Sequence, residues 1–436
     1  MKKSSRAQAP TAAALRSRHF GRYRYTKLRW HLLFSVIDLF GNLAVAFCRM
    51  LAFNREAAVA EERPRSILLV QLDHLGDAVI STVLLRGLRR RYPDASIDVL
   101  CGAWNAEFFA GCPEVNQIFA SQVNRFARAG RFGWLLATLG WGMRLRSQHY
   151  DLAVDARGEF PLALLIWLSG ARRRLGWNCG GGGFLLTDSP EFVVGREETA
   201  SRQALLKILG GDSSLDHDPP SYMPSESARL TIRRRMQRME MGAGKLIAMH
   251  IGAGTQAKRW PAEHWRELLR LLLKYEDSVI ALVGGEHERV LARLLIASLR
   301  TESSRLGVSR VIDLTGELRI AELAALLERA DLFVGGDSGP AHLAAAVGRP
   351  AVVLFSGTND PVQWRPQGAR VKVVKQETAC SPCHRESCPV PGHPCMSQLS
   401  PARVYRTIVE LLGDIEPPPH KPSALAAKPC VELMSV

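Results

Sequence analysis

Apolar and polar positions along the chain fall into two similar patterns with a polar break between them. The run Ser66-Ile-Leu-Leu-Val-Gln-Leu72 is apolar at odd and even positions alike, the character of a strand covered on both faces. A helix is predicted over about 78–91, a strand near 97–101, a further strand over 151–155 and an apolar helix over 161–168. Polar residues and Pro then dominate 211–224, which reads as a linker. The pattern restarts with strands at 245–251, 278–283, 311–314, 332–334 and 351–355, and helices at 262–274, 286–299, 320–329 and 340–347. Strands alternating with helices imply parallel sheets with helices on both faces, hence an α/β fold of two units. A ligand cleft is expected between the units, lined by loops at the carboxyl ends of the strands. The domains are read as an N-terminal extension over 1–62, a first α/β domain over 63–225, a second over 226–415, and a Pro-rich disordered tail over 416–436.

Charge changes the picture at the N-terminus. The 436 residues include 57 Lys and Arg against 42 Asp and Glu, with 47% hydrophobic and 23% charged positions, which excludes disorder, collagen-like repetition and a polytopic membrane protein. Eleven basic residues lie within 1–55 against Asp38 alone, so that stretch carries +10 of the net +15. Aromatics interleave with Arg at Phe20 to Tyr25, a pattern that suits nucleic acid, yet an apolar segment over 31–53 follows directly. That segment is about long enough to span a bilayer, since roughly 20 apolar residues suffice. Its polar members His31, Ser35, Asp38, Asn42 and Arg49 nevertheless share one helical face. The expectation is an amphipathic helix lying in the surface of an anionic membrane, with no nucleic-acid partner; a spanning anchor and a helix packed on the body are the alternatives.

Candidate chemistry sits at strand-to-helix junctions. Asp77, after Gly76, falls near a helix start, where backbone N–H groups favour an ionised carboxylate suited to act as a general base; a simple N-cap is the bland reading. The segment from His250 to Pro261 offers Gly252 and Gly254 for close backbone approach, the Thr255 hydroxyl, and cationic Lys258 and Arg259 for phosphate oxygens. Glu286, after Gly284-Gly285, suits a ribose diol. The richest junction is Gly335-Gly336-Asp337-Ser338-Gly339-Pro340-Ala341-His342, where Ser338 and the N–H groups beyond it suit a diphosphate. Asp216-His217-Asp218 has the form of a metal-binding acidic motif but lies in the linker and is read as incidental. Cys380, Cys383, Cys388 and Cys395 cluster near the C-terminus. Structural zinc, reduced thiols shaping a loop, and disulfides are the three readings of that cluster.

In their order along the chain, Leu75-Gly76-Asp77, Gly254-Thr255 with Lys258-x-Trp260-Pro261, Gly284-Gly285-Glu286, and Gly336 to His342 resemble glycosyltransferase family 9, the heptosyltransferases of lipopolysaccharide core assembly. The resemblance covers about 66–412. It implies a GT-B fold, two Rossmann-like domains facing across a cleft, and inversion at the anomeric carbon with no cofactor or metal required for catalysis. Asp77 would then be the base on the acceptor hydroxyl. Thr255 and Lys258 would hold the diphosphate, with Lys258 neutralising the departing ADP, and Glu286 would bind the ribose. Asp337, Ser338, Gly339 and His342 would edge the donor site. The implied partners are ADP-heptose or another nucleotide sugar and a lipid-linked oligosaccharide acceptor, and the implied location is cytoplasmic, peripheral on the inner face of the inner membrane. A family 9 transferase of another nucleotide sugar, or a non-catalytic nucleotide-sugar-binding subunit, are the competing expectations.

Overall fold

The computed structural model describes residues 28–51, 63–122, 133–210, 218–239, 244–273, 278–302 and 307–413. The first half holds a five-stranded sheet of β1 (Ser66–Gln71), β2 (Ser96–Gly102), β3 (Gln117–Ser121), β4 (Leu152–Asp155) and β5 (Arg173–Leu175), in the order β3-β2-β1-β4-β5. The second holds β6 (Leu246–His250), β7 (Val279–Val283), β8 (Val311–Asp313), β9 (Leu332–Gly336), β10 (Ala351–Phe355) and β11 (Val371–Lys375), in the order β11-β10-β9-β6-β7-β8. All pairings are parallel. β1 and β6 are buried at nearly every position because helices cover both faces of each sheet, which is why their sequences are apolar without alternation. Each sheet reverses its strand order beside its first strand. In open α/β sheets such a reversal is where neighbouring loops part and a ligand crevice forms at the carboxyl ends of the strands.

Two boundaries differ from expectation. The helix expected over 78–91 is two helices, Leu75–Ile80 and Thr82–Arg91. At the break the Thr82 hydroxyl donates to the Val79 carbonyl at 2.8 Å, a side chain competing with the helical backbone for its acceptor. The helix expected over 286–299 opens as a single tight turn, Glu286–Glu288, before Arg289–Glu302. β3 and β11, absent from the sequence pattern, are edge strands with much of their length open to solvent, so neither carries a run of apolar residues.

The halves join after helix Glu198–Ile208, since helix Glu226–Arg238 already packs on helix Ile320–Arg329 of the second half. Asp218 bridges Arg86 and Arg90, a structural use of the one described member of the acidic triplet; Asp216 and His217 lie outside the described residues. Tyr222 donates its N–H to the Ala346 carbonyl at 3.0 Å and stacks on Phe108, centroids 4.7 Å apart, so one residue ties both halves. A single cluster of buried apolar side chains runs through both halves, with Leu84 and Phe108 on one side and Leu326 and Leu343 on the other.

Helix Leu28–Leu51 precedes the first sheet, and its orientation corrects the simple amphipathic picture. His31, Phe34 and Asp38 are buried against the first half, while Leu32, Leu39, Phe40 and Leu43 face outward. Its seat is the glycine run at 180–183: a Cβ on Gly181 would lie 2.4 Å from the Phe34 ring, and the Gly182 N–H donates to Asp38 Oδ1 at 2.7 Å. Both glycines have positive φ, 84° and 80°, so the run supplies left-handed backbone as well as space. Asp38→Ala leaves that buried N–H without its acceptor, at an expected cost of about 1–3 kcal/mol. Hydrogen exchange confined to residues 28–51 should rise accordingly; unchanged protection would show that the bond does not hold the helix.

Candidate active site

Asp77 occupies the third position of helix Leu75–Ile80, directly after β1, and is not its N-cap; His74 caps the helix without a side-chain bond. The carboxyl is buried among charges that arrive from distant segments. Arg202 Nη2 approaches Asp77 Oδ1 to 3.9 Å and is itself fixed by Glu198 at 2.8 Å. Arg157, from the turn after β4, pairs with Asp73 and with Glu159. Burial, reinforced by the negative charge of Asp73, raises the Asp77 pKa to about 7 against the opposing pull of Arg157 and Arg202. The local sequence suggested a carboxylate favoured in its ionised form by the helix start. Desolvation outweighs that effect and leaves a group that exchanges its proton near neutrality.

Across the cleft, the turn Gln256–Lys258 follows β6 and presents Thr255 and Lys258 together. The Thr255 hydroxyl is buried and makes no hydrogen bond in the structure, a donor with unused capacity. Lys258 Nζ donates to Asp337 Oδ2 at 2.7 Å, and the Asn359 amide donates to the same oxygen at 2.8 Å. Asp337 therefore holds the ammonium in place. Ser338 caps helix Gly339–Ala346; its hydroxyl donates to the Gly336 carbonyl at 3.0 Å and lies 3.2 Å from His250 Nδ1. The N–H groups of Ala341 and His342 bond the Ser338 carbonyl at 3.1 and 3.4 Å, and Pro340 has none, so this helix start offers an anion fewer free donors than its motif suggests. Burial lowers the pKa of His250 and His342 to about 4, leaving both rings neutral at pH 7.

Close backbone approach brings these two groups to one place. A Cβ on Gly76 would lie 3.1 Å from the His342 ring, and one on Gly339 would lie 2.9 Å from Leu75 Cβ, so helices Leu75–Ile80 and Gly339–Ala346 meet where only glycine fits easily. Gln363 of the second half also donates to Glu198 of the first at 2.8 Å. Glu286 sits apart from the buried group, with 70% of its side chain exposed and Arg289 2.9 Å away. The inward carboxylate of that turn is Glu288, which accepts the Gly285 N–H at 2.7 Å. Asp73, Arg157, Glu198, Arg202 and Asn359 were missed in the sequence, and His250 was given no role, because contacts far along the chain bring them to the site: Arg157 with Asp73 84 residues apart, Ser338 with His250 88, Asn359 with Asp337 22 and Gln363 with Glu198 165. All four thiols of Cys380, Cys383, Cys388 and Cys395 are free. Among the described residues no group of three or more His, Cys, Asp or Glu side chains is placed to hold a metal ion.

The chain is similar to known proteins over most of its length. The family model for glycosyltransferase family 9 (heptosyltransferase) matches residues 140–393. Lipopolysaccharide heptosyltransferase 3 of Escherichia coli is 27% identical over 299 residues, 67% of this chain and 83% of that protein. Lipopolysaccharide heptosyltransferase 2 of Escherichia coli K12 is 26% identical over 355 residues, 79% of this chain and 98% of that one. Among solved structures, E. coli ADP-heptose lps heptosyltransferase II aligns with a TM-score of 0.64 at 24% identity, covering 80% of this chain and 98% of that one. The glycosyl transferase family 9 protein of Veillonella parvula aligns with a TM-score of 0.67 at 18% identity, with the same coverage. Two Rossmann-like halves, each built on an open parallel sheet, give the chain the GT-B fold of those structures. The chain belongs to glycosyltransferase family 9, the heptosyltransferases.

Proposed function

We propose that the protein moves a heptose from ADP-heptose to a hydroxyl of a lipid-linked lipopolysaccharide inner-core acceptor, with inversion and without a catalytic metal. The observation that carries this reading is the buried Asp77 carboxyl, its pKa raised to about 7, on a helix that meets helix Gly339–Ala346, just before which Asp337 holds Lys258. Asp77 takes the acceptor hydroxyl proton as that oxygen bonds to the anomeric carbon. The bond from the anomeric carbon to the diphosphate breaks on the opposite side, and its electrons leave with ADP. Lys258, held by Asp337, meets the charge that develops there, and Thr255 donates its unused hydroxyl. Fixed positive charge on Lys258, whose side chain is 19% exposed, supplies what a magnesium ion would otherwise do. Ser338, Gly339 and His342 shape the donor edge, and the outward Glu286 is left to the ribose. The heptosyltransferase relatives support the sugar, and the likeness to E. coli ADP-heptose lps heptosyltransferase II supports the nucleotide.

The N-terminal helix is read as resting on the cytoplasmic face of an anionic bilayer, where a lipid-linked acceptor resides. Its outward apolar face and the basic stretch before it support this reading. It is also the one described helix long and apolar enough to cross a membrane by length and composition. Incubation with ADP-heptose and Kdo-lipid A should release ADP. A thermal-shift comparison of ADP-, UDP- and GDP-sugars should show stabilisation by the ADP-sugar. Stabilisation by a UDP- or GDP-sugar alone would assign a different donor, and tight donor binding without turnover on any acceptor would assign a binding subunit.

A further inference from the structure

The helix Gly133–Arg146 buries an unexpected side. Thr138, Gly142 and Leu145 face the protein, while Leu136 and Met143 are 67% and 63% exposed, with Leu139 between them. These three positions fall at i, i+3 and i+7, one continuous stripe. A helix on a water-facing surface carries polar residues there. Beside it, helix Phe160–Leu168 turns Trp167 outward at 47% exposure. This second helix connects the stripe to the N-terminal helix. A Cβ on Gly142 would lie 2.4 Å from Leu168 Cβ, and the Phe160 ring is 5.6 Å from that of Phe34. Helix Phe160–Leu168 thus packs against both the helix that carries the stripe and the N-terminal helix, and all three leave apolar side chains exposed on the first half.

Charge identifies what covers them. Between Glu114 and Asp151 the sequence holds five Arg and no acidic residue. Arg144 and Arg146 stand exposed at the end of the stripe, and Arg144 lies over the Trp141 ring at 5.0 Å. Apolar side chains bounded by Arg paired with Trp match the depth profile of a bilayer surface, where aromatic rings sit at the headgroup level and guanidinium groups reach lipid phosphates. We propose that helix Gly133–Arg146, together with Trp167, is a second membrane-contacting element that docks on anionic phospholipid beside the N-terminal helix. It rests on the reading of that helix as a bilayer contact. A single helix leaves the protein free to roll about its axis; two non-collinear contacts fix the tilt of the first half and so the height of Asp77 above the lipid surface.

Flotation of the full chain on phosphatidylethanolamine–phosphatidylglycerol vesicles, against phosphatidylcholine vesicles, tests this directly. Leu136→Gln/Met143→Gln should float about tenfold less on the anionic vesicles while keeping its melting temperature and its stabilisation by ADP. Arg144→Gln/Arg146→Gln should weaken flotation at low salt, with the difference closing as salt rises. If Leu136→Gln/Met143→Gln floats like the parent while Leu39→Gln/Phe40→Gln does not, the N-terminal helix alone binds and the second contact is wrong. If the parent itself does not float, the membrane reading is wrong; if the parent floats and both variants float like it, neither helix is the contact and the proposal is overturned. A parent dimer that Leu136→Gln/Met143→Gln converts to a monomer, with flotation unchanged, would assign the stripe to self-association and overturn the proposal.

Discussion

Asp77→Asn should lower kcat by about 10³-fold, within the range general-base catalysis contributes, while leaving donor affinity nearly unchanged. The substitution keeps the shape and removes only the proton acceptor. In the parent enzyme, activity should climb with pH through about 7 and level off above it, because Asp77 must be ionised to act and its pKa is raised to about 7 by burial and by Asp73. Arg202→Met removes a guanidinium 3.9 Å away that pulls this value down, so the midpoint should move to higher pH. A profile that stays put in Arg202→Met, or an Asp77→Asn enzyme of near-parent kcat, would remove Asp77 from the chemistry.

The same carboxyl has a stability signature with a definite sign. An acid whose folded pKa lies above its unfolded value of about 3.9 stabilises the protein fully below that lower value, and the contribution is lost as pH rises through about 7. Asp77→Asn should thus melt higher than the parent at pH 8, with the gap closing toward pH 4. Gain of stability on loss of activity marks a residue held in an unfavourable place for function.

Lys258→Ala should cost about 10²–10³-fold in kcat, the usual penalty for removing one fixed donor from developing charge. It also strips Asp337 of its closest cation and leaves the carboxylate with the Asn359 amide alone among the contacts described. Asp337→Asn in the Lys258→Ala background separates the two effects. If Asp337 acts only by holding Lys258, the double variant should be no slower than Lys258→Ala and more stable than it. Lys258→Arg should recover part of the rate, since charge returns with a different reach. Full activity in Lys258→Ala would move leaving-group stabilisation elsewhere, with Thr255 the next group to test.

Much of this was legible along the chain, for reasons that are local. β1 and β6 announce themselves because a strand covered on both faces must be apolar at every position. Gly252 was read as a point of close approach and is one, since a Cβ there would lie 2.3 Å from Glu288 Oε1, whereas Gly254, read the same way, has no atom within 4 Å of its Cβ position. Edge strands β3 and β11 left little trace because solvent relaxes the demand on their side chains. Glu286 drew notice through its place after two glycines, yet the chain turns it outward and Glu288 inward, a difference of two residues in a tight turn that spacing does not decide.

The sequence by itself determined the two α/β halves, the order of their junctions, and the presence of a basic, apolar N-terminus, since periodicity and composition act over a few residues at a time. The tertiary structure alone decided the state of Asp77, because burial and the charges of Arg157, Glu198 and Arg202 reach it and neighbouring Asp73 only once three separate stretches of chain are packed together. It also decided which way the N-terminal helix faces. Its polar positions suggested contact with water, but the glycine run at 180–183 provides a buried N–H for Asp38 and room for Phe34, so His31, Phe34 and Asp38 pack inward while Ser35 and Asn42 stay exposed with the apolar side chains outside.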